Sequence, residues 1–326
     1  MKVSVAMSAH NRENFVAQAI ESVLMQEVSF DYEIVIGEDC STDRTRDIVV
    51  SFQEKYPDKF HLLMHEKNLG VIKNFASIVQ ACQGQYIALI DDDDYWTSPQ
   101  KLQMQVDFLD NHPDCALCFH DSRHFYEDGT KEDYFISLPD NKEVFTLEDL
   151  KPGPFIPTSS TMFRRGIFGQ FPGWFYELRV GNDWALHILN AQYGRLGYIN
   201  EVMAATRIHN GGLWNGLGRI QQLETVIHEY EVMRNHLLFL KDKMGKIKLS
   251  KFCFNLAREY ERQGDLEKSR EYIVKSMTEC LMNPSISSGS LLKLVLRLYA
   301  NPLYQLIAAV YEKLRVSKSD AGNTKP

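Results

Sequence analysis

No apolar run in this 326-residue chain approaches the ~20 residues that a helix needs to cross a bilayer. The opening, MKVSVAMSAHNR, has one lysine and a short apolar stretch that breaks at His10, so a secretory leader is not expected either. Positive charge is short: 36 Lys and Arg stand against 43 Asp and Glu, a net charge of −7. That balance argues against a basic surface built for nucleic-acid phosphates. Cysteine is sparse. Cys40, Cys82, Cys115, Cys118, Cys253 and Cys280 are scattered in mostly apolar settings, and free thiols in a reducing cytosol are the expectation. Cys115 and Cys118 have CxxC spacing, but no second pair follows to complete a zinc site, and ALCF reads as a buried strand.

What is present is an alternation. Val3–Met7, Tyr32–Gly37, Phe60–His65 and Tyr86–Ile90 are short apolar runs of buried-strand type. Between them, Asn14–Gln26, Thr45–Tyr56 and Gly70–Cys82 carry apolar residues at helical spacing, with Ser41 or Asp43 placed to cap the second helix. The pattern predicts an α/β fold with an open, doubly wound, mostly parallel sheet. Residues 115–215 mix strands and loops. From about Arg219 glycine becomes scarce and a helical period runs to about Arg315. The expected organisation is a first domain over 1–217, a helical region over 218–316 and a disordered tail over 317–326. Asn255–Met277, with Gly264-Asp265 at its turn, resembles one tetratricopeptide-type hairpin within about 251–280, although an ordinary helical hairpin is the favoured reading.

Three polar clusters stand at strand ends: Ser8–Arg12, Glu38–Asp43 and Asp91–Asp94. Ligands bind such sheets at the carboxyl ends of the strands, so the three should line one cleft. Four consecutive aspartates after YIALI repel one another unless a cation or water neutralises them. Hard oxygen ligands suit Mg²⁺ or Mn²⁺ bridging to a diphosphate; the alternative is a solvated acidic turn or helix cap. Asp39 is placed to accept a hydrogen bond from a base imide. His10 offers a flat ring to a nucleobase and Arg12 a cation to a phosphate.

Together these segments resemble family 2 glycosyltransferases of the GT-A fold. The matching pieces are VSVAMSAHNR, IVIGEDCSTDRT, NLGVIKNF and GQYIALIDDDDYWTSPQKLQMQVDFL, then IPTSSTMFRR, GNDW and GYINEVMAATRIHNGGLW. They cover about residues 1–215, and they are most similar to a bacterial subgroup with a D/E-G-D-D-Y-W segment, from which Asp92 departs by standing where that subgroup often has Gly. The resemblance implies a nucleotide-sugar site formed by Ser8, Ala9, His10, Asn11, Arg12, Asp39, Lys73, Asn74, Asp91 and Asp92. It also implies Asp93 as the metal-binding acid of a DxD motif, with His209 as a further metal or diphosphate contact, and Mn²⁺ or Mg²⁺ as cofactor. Asp183 falls at the family's base position, with Asn182 where another acid is usual. A helix-capping role is the competing reading for Asp183. Trp184 and Trp214 are candidates to face the acceptor, and Gly211-Gly212 suggests a loop that closes over the donor.

The implied activity is inverting transfer of a sugar from a nucleotide-sugar, a UDP-sugar by family expectation, to a saccharide or lipid-linked acceptor in surface polysaccharide or glycolipid synthesis. A silent nucleotide-sugar binder or scaffold is the rival class. A nucleotidyltransferase is disfavoured because the loop after the first strand has no glycine. No nucleic-acid partner is expected. Leu291–Leu314 is strongly apolar, with Pro302 within it; packing or self-association through these helices is favoured over peripheral contact with the inner face of the cell membrane. Location is expected to be cytoplasmic.

Overall fold

A computed structural model of the protein describes residues 1–136, 138, 142–180, 182–281 and 284–299. The expected tail over 317–326, and the part of Leu291–Leu314 beyond residue 299, lie outside the described residues. The chain divides into two compact units, Met1–Leu217 and the remainder from Gly218.

In the first unit, β1 (Val3–Ala9), α1 (Val16–Leu24), β2 (Tyr32–Glu38), α2 (Thr45–Lys55), β3 (Phe60–Met64), α3 (Val71–Ala81) and β4 (Tyr86–Asp91) follow the alternation read from the sequence. They continue into β5 (Tyr95–Trp96), α4 (Lys101–Asn111), β6 (Cys115–Tyr126), β7 (Val144–Phe145), β8 (Met162–Arg164), α5 (Asn182–Ala191) and β9 (Arg195–Ile208). All nine strands of the described residues share one sheet, ordered β3-β2-β1-β4-β8-β6-β9-β5, with β7 beside β9. β1 pairs in parallel with β2 and with β4, and β2 with β3. The register sets Ser8 between Gly37 and Asp91, which brings three strand ends level. The short β8 is the antiparallel wedge between β4 and β6, and β6 then runs parallel to β9 with three register irregularities.

β1 and β2 are apolar almost throughout because helices cover both faces of the sheet. Val3, Val5, Met7, Ile34 and Ile36 are fully buried and pack with Ala19, Ile20 and Val23 of α1. On the other face α3 sits so close to β2 that a Cβ at Gly37 would lie 2.2 Å from Asn74 Oδ1 and 2.6 Å from Ile78. Only glycine fits there. Cys115 and Cys118 are both buried on β6, and burial pushes the Cys118 thiol up to about 12, as expected of structural rather than metal-binding thiols.

The second unit contains α6 (Arg219–His236), α7 (Lys243–Arg262), α8 (Leu266–Glu279) and α9 (Ser288–Tyr299). α7 and α8 form a hairpin whose turn needs the left-handed backbone of Gly264, at φ +81°, and Asp265 then caps α8 by accepting from Lys268 N at 3.0 Å. Phe254 and Ala257 of α7 pack with Ile273 of α8 and with Leu294 and Leu298 of α9. Arg234 clamps Glu279 with two hydrogen bonds, at 2.7 and 3.0 Å, which join α6 to α8.

Candidate active site

The three strand-end clusters meet. Asn11, at φ 54°, turns the chain out of β1, and its side chain accepts from Thr42 N at 2.8 Å while its own N–H donates to Ser41 Oγ at 3.0 Å. Arg12 N donates to Thr45 Oγ1 at 2.7 Å. These contacts bind the β1 loop to the β2 loop. His10 N donates to Asp92 Oδ2 at 2.8 Å and Arg12 Nε to Asp93 Oδ2 at 3.1 Å, which binds both to the acidic turn after β4. Asp43 accepts from Thr45 N at the start of α2 and from Glu13 N, so one carboxylate serves both loops.

Burial dominates the four aspartates. It raises Asp91 and Asp92 well above the usual carboxylate range, and for each the charges of neighbouring aspartates add to the effect. Asp94 is 4% exposed and is pushed up to about 7 by burial and then by the charge on Asp93. Asp93 goes the other way. Burial works against its ionisation, but the His209 hydrogen bond and the Arg12 guanidinium outweigh that and hold it below the ordinary range. His209 Nε2 lies 3.1 Å from Asp93 Oδ2, and its ring meets Phe15 edge-on at 4.8 Å. A cleft of about 290 Å³ adjoins this cluster, lined by residues that include Asn11, Arg12, Phe15, Asp43, His209 and Gly211.

Asp183 stands in the first turn of α5. Its Oδ1 accepts from Trp184 N at 2.7 Å and its Oδ2 from Thr158 Oγ1 at 3.4 Å. Its charge adds, as the smallest of several causes, to the raised pKa of Asp91, far from it in the chain. Thr158 begins a short 3₁₀ turn, Thr158–Ser160, whose Ser159 hydroxyl donates to Asp94 Oδ2, so that turn links the two acids.

Other sequence candidates fall differently. Asp39 is buried, and its two oxygens accept from Leu69 N at 2.7 Å and Gly70 N at 3.0 Å, fixing the turn into α3; a base imide would share those oxygens. His10 leaves Nδ1 buried without a hydrogen-bond partner, while its Nε2 lies 3.2 Å from both Asn11 Nδ2 and Asn68 Nδ2. Asn74 is turned inward, donating to Gly37 O at 2.8 Å and pairing with His65 Nε2 at 3.0 Å, and Lys73 is exposed on α3. Neither joins the acidic cluster in this conformation. Trp184 is 3% exposed, with its Nε1 donating to Leu150 O, so it belongs to the core; Trp214 is 39% exposed.

Two residues were given no role of their own in the sequence reading, Asp94 as the last of the acidic cluster and Arg207 as a neighbour of His209. Asp94 accepts from Arg207 N at 2.8 Å as well as from Ser159, and so anchors the acidic turn to β9. Arg207 is 8% exposed and donates to the Asp93 carbonyl at 2.9 Å, to Gln18 Oε1 at 2.6 Å and to Glu127. Its guanidinium also lies over Phe15 at 4.6 Å, Phe125 at 5.0 Å and Tyr95 at 5.7 Å. The one signal in the sequence was its place two residues before His209.

Among the described residues, no group of three or more His, Cys, Asp or Glu side chains is arranged to hold a metal. Asp93 and His209 supply two donors.

Comparison with known proteins agrees with this geometry. The model of glycosyl transferase family 2 matches residues 4–171. An uncharacterised protein of Mycobacterium tuberculosis is 34% identical over 214 residues, which are 65% of this chain and 60% of that protein; the matched stretch thus spans under two thirds of the relative. TuaG of Bacillus subtilis, named as a teichuronic acid biosynthesis glycosyltransferase, is 31% identical over 212 residues, 65% of this chain and 81% of its own. Among solved structures, S. aureus TarS 1–349 in complex with UDP-GlcNAc has a TM-score of 0.56 at 17% identity, covering 85% of this chain and 92% of that one. The mannosyltransferase PcManGT of Pyrobaculum calidifontis, in complex with GDP-Man and Mn²⁺, has a TM-score of 0.54 at 15% identity, covering 94% and 83%. At such identities the likeness is one of fold, and the fold is GT-A.

Proposed function

The chain belongs to glycosyl transferase family 2, and from that premise we propose that it is an inverting glycosyltransferase. It moves a sugar from a nucleotide-sugar, a UDP-sugar, to a hydroxyl of a saccharide or lipid-linked saccharide. The observation that carries the reading is the meeting of the β1, β2 and β4 ends around Asp92 and Asp93, with the Thr158–Ser160 turn hydrogen-bonded to both Asp94 and Asp183. The bound UDP-GlcNAc of the TarS structure and the name of TuaG support a UDP-sugar and surface polysaccharide synthesis.

Asp39 receives the base imide beside the turn into α3, and the His10 ring stacks on the base. Asp91 and Asp92 face the ribose and diphosphate, and Arg12 turns to a phosphate oxygen. The donor set at Asp93 and His209 fits Mn²⁺ or Mg²⁺. The Asp93 carboxylate oxygen and the His209 imidazole nitrogen, 3.1 Å apart, would hold the ion from the protein side. When bound, the ion supplies positive charge against the departing diphosphate.

Asp183 is the base. As the acceptor oxygen bonds to the anomeric carbon, the bond from that carbon to the diphosphate oxygen breaks and the electron pair leaves with the nucleoside diphosphate. A carboxylate oxygen of Asp183 takes the acceptor's proton. The Trp184 amide and Thr158 hydroxyl orient that carboxylate.

The deciding experiment pairs binding with turnover. Asp183→Asn should keep nucleotide affinity and lower transfer by about 10²- to 10⁴-fold. Near-normal transfer by that variant would remove Asp183 as base. A wild-type protein that binds nucleotide-sugar and never turns it over would instead be a binding protein.

A further inference from the structure

We propose that the corner Leu238–Lys246 of the second unit is a docking surface for an anionic lipid bilayer. Leu238 is 79% exposed on the short 3₁₀ turn Leu238–Lys241, and Met244, in the first turn of α7, is 56% exposed. The turn is well anchored. Leu237 and Leu240 on either side are buried, and Gly245 lets the Leu240 carbonyl approach so closely that a Cβ there would lie 1.9 Å from it. The protruding leucine is therefore a built feature of an ordered junction.

Around these two apolar tips stand Lys241, Lys243 and Lys246, all exposed, and among the described residues none of their three ammonium groups has a hydrogen-bond or ion-pair partner. Within the corner the opposing charge is Asp242, whose carboxylate caps α7 by accepting from Gly245 N at 2.8 Å. A net-basic corner on a chain of net charge −7 runs against the overall balance.

Charge and shape choose the occupant. Lysine is depleted at protein–protein interfaces, whose energetic anchors are aromatic residues and arginine set in close-packed patches. Lysines around a protruding aliphatic tip suit an interface of anionic headgroups over acyl chains, where long lysine stems reach the headgroups while the tip enters below them. No described helix is long and apolar enough to cross a membrane.

Flotation of the full chain with vesicles tests this, and it reads partition without substrate, so it stands or falls apart from the transfer chemistry. Wild type should float with phosphatidylglycerol–phosphatidylcholine vesicles at about 0.1 M salt and stay behind with phosphatidylcholine alone. K241E/K243E/K246E should lower the partition coefficient about a hundredfold. Leu238→Ser, at a site too exposed to disturb packing, should lower it about tenfold. Wild type that fails to float, partition insensitive to both variants, or a concentration-dependent dimer that the triple variant abolishes would each overturn the proposal, the last by assigning the corner to a second copy of the chain.

Discussion

Arg12 Nε donates to Asp93 Oδ2 at 3.1 Å, so a guanidinium already stands on the oxygen through which Asp93 would meet a divalent cation. Two positive charges compete for one carboxylate. Arg12→Gln should therefore raise Mn²⁺ affinity of the nucleotide-free protein, by about five- to tenfold for a half-buried ion pair of ~1 kcal/mol. The same change should weaken nucleoside diphosphate binding if Arg12 meets a phosphate as proposed. Titration of free Mn²⁺ by electron paramagnetic resonance, with and without UDP, reads both effects. Weaker Mn²⁺ binding in the variant without UDP would mean that Arg12 supports the ion instead of displacing it.

Arg207 holds the acidic turn in place. Its guanidinium joins the Asp93 carbonyl, Gln18 and Glu127 within reach of three aromatic rings, and its N–H joins Asp94. Lysine keeps the charge but cannot reproduce the planar fork. Arg207→Lys should cost about 2–4 kcal/mol in urea unfolding. It should also lower Mn²⁺-dependent nucleotide affinity at temperatures where the variant remains folded, since the chain reaches His209 two residues later.

Lys101 gives a pH-dependent test. It is fully buried in the first turn of α4, with Nζ 2.6 Å from Gln105 Oε1 and 3.9 Å from the centre of the Trp96 ring. Burial lowers its ammonium from 10.5 to about 7. Between pH 7 and 10.5 the unfolded chain binds this proton and the folded chain does not, so stability from this group rises across that window and its full cost is present below pH 7. Lys101→Met should thus stabilise the protein at pH 6 by on the order of 1–2 kcal/mol, after allowance for the Gln105 oxygen left unpaired. The advantage should shrink towards pH 10. Urea midpoints measured across that range decide it.

The parallel strands were legible because each is buried on both faces and reads as an unbroken apolar run. Their ends were legible because Ser8–Arg12, Glu38–Asp43 and Asp91–Asp94 follow those runs directly, and the register of β1 with β2 and β4 brings them level. Side-chain direction was not. Asn74 and Lys73 are neighbours on α3, yet one is spent on Gly37 and His65 while the other is exposed. Trp184 follows Asp183, but the helix turns it into the core. Arg207 and Asp94 could not be read because their partners come from β1–α1, β6 and the Thr158–Ser160 turn, none of them local. A charged residue in a sequence gives no sign of whether it will be buried among such partners.

If Asp39 receives the base as proposed, the two backbone amides it holds give that recognition a mechanical side. A nucleobase imide that draws on either oxygen takes part of the hold on Leu69 and Gly70, and with it part of the stiffness of the bend leading into α3. Occupancy of that position would then be felt as faster hydrogen exchange at those two amides, so that the bend into α3 reports whether the donor has arrived.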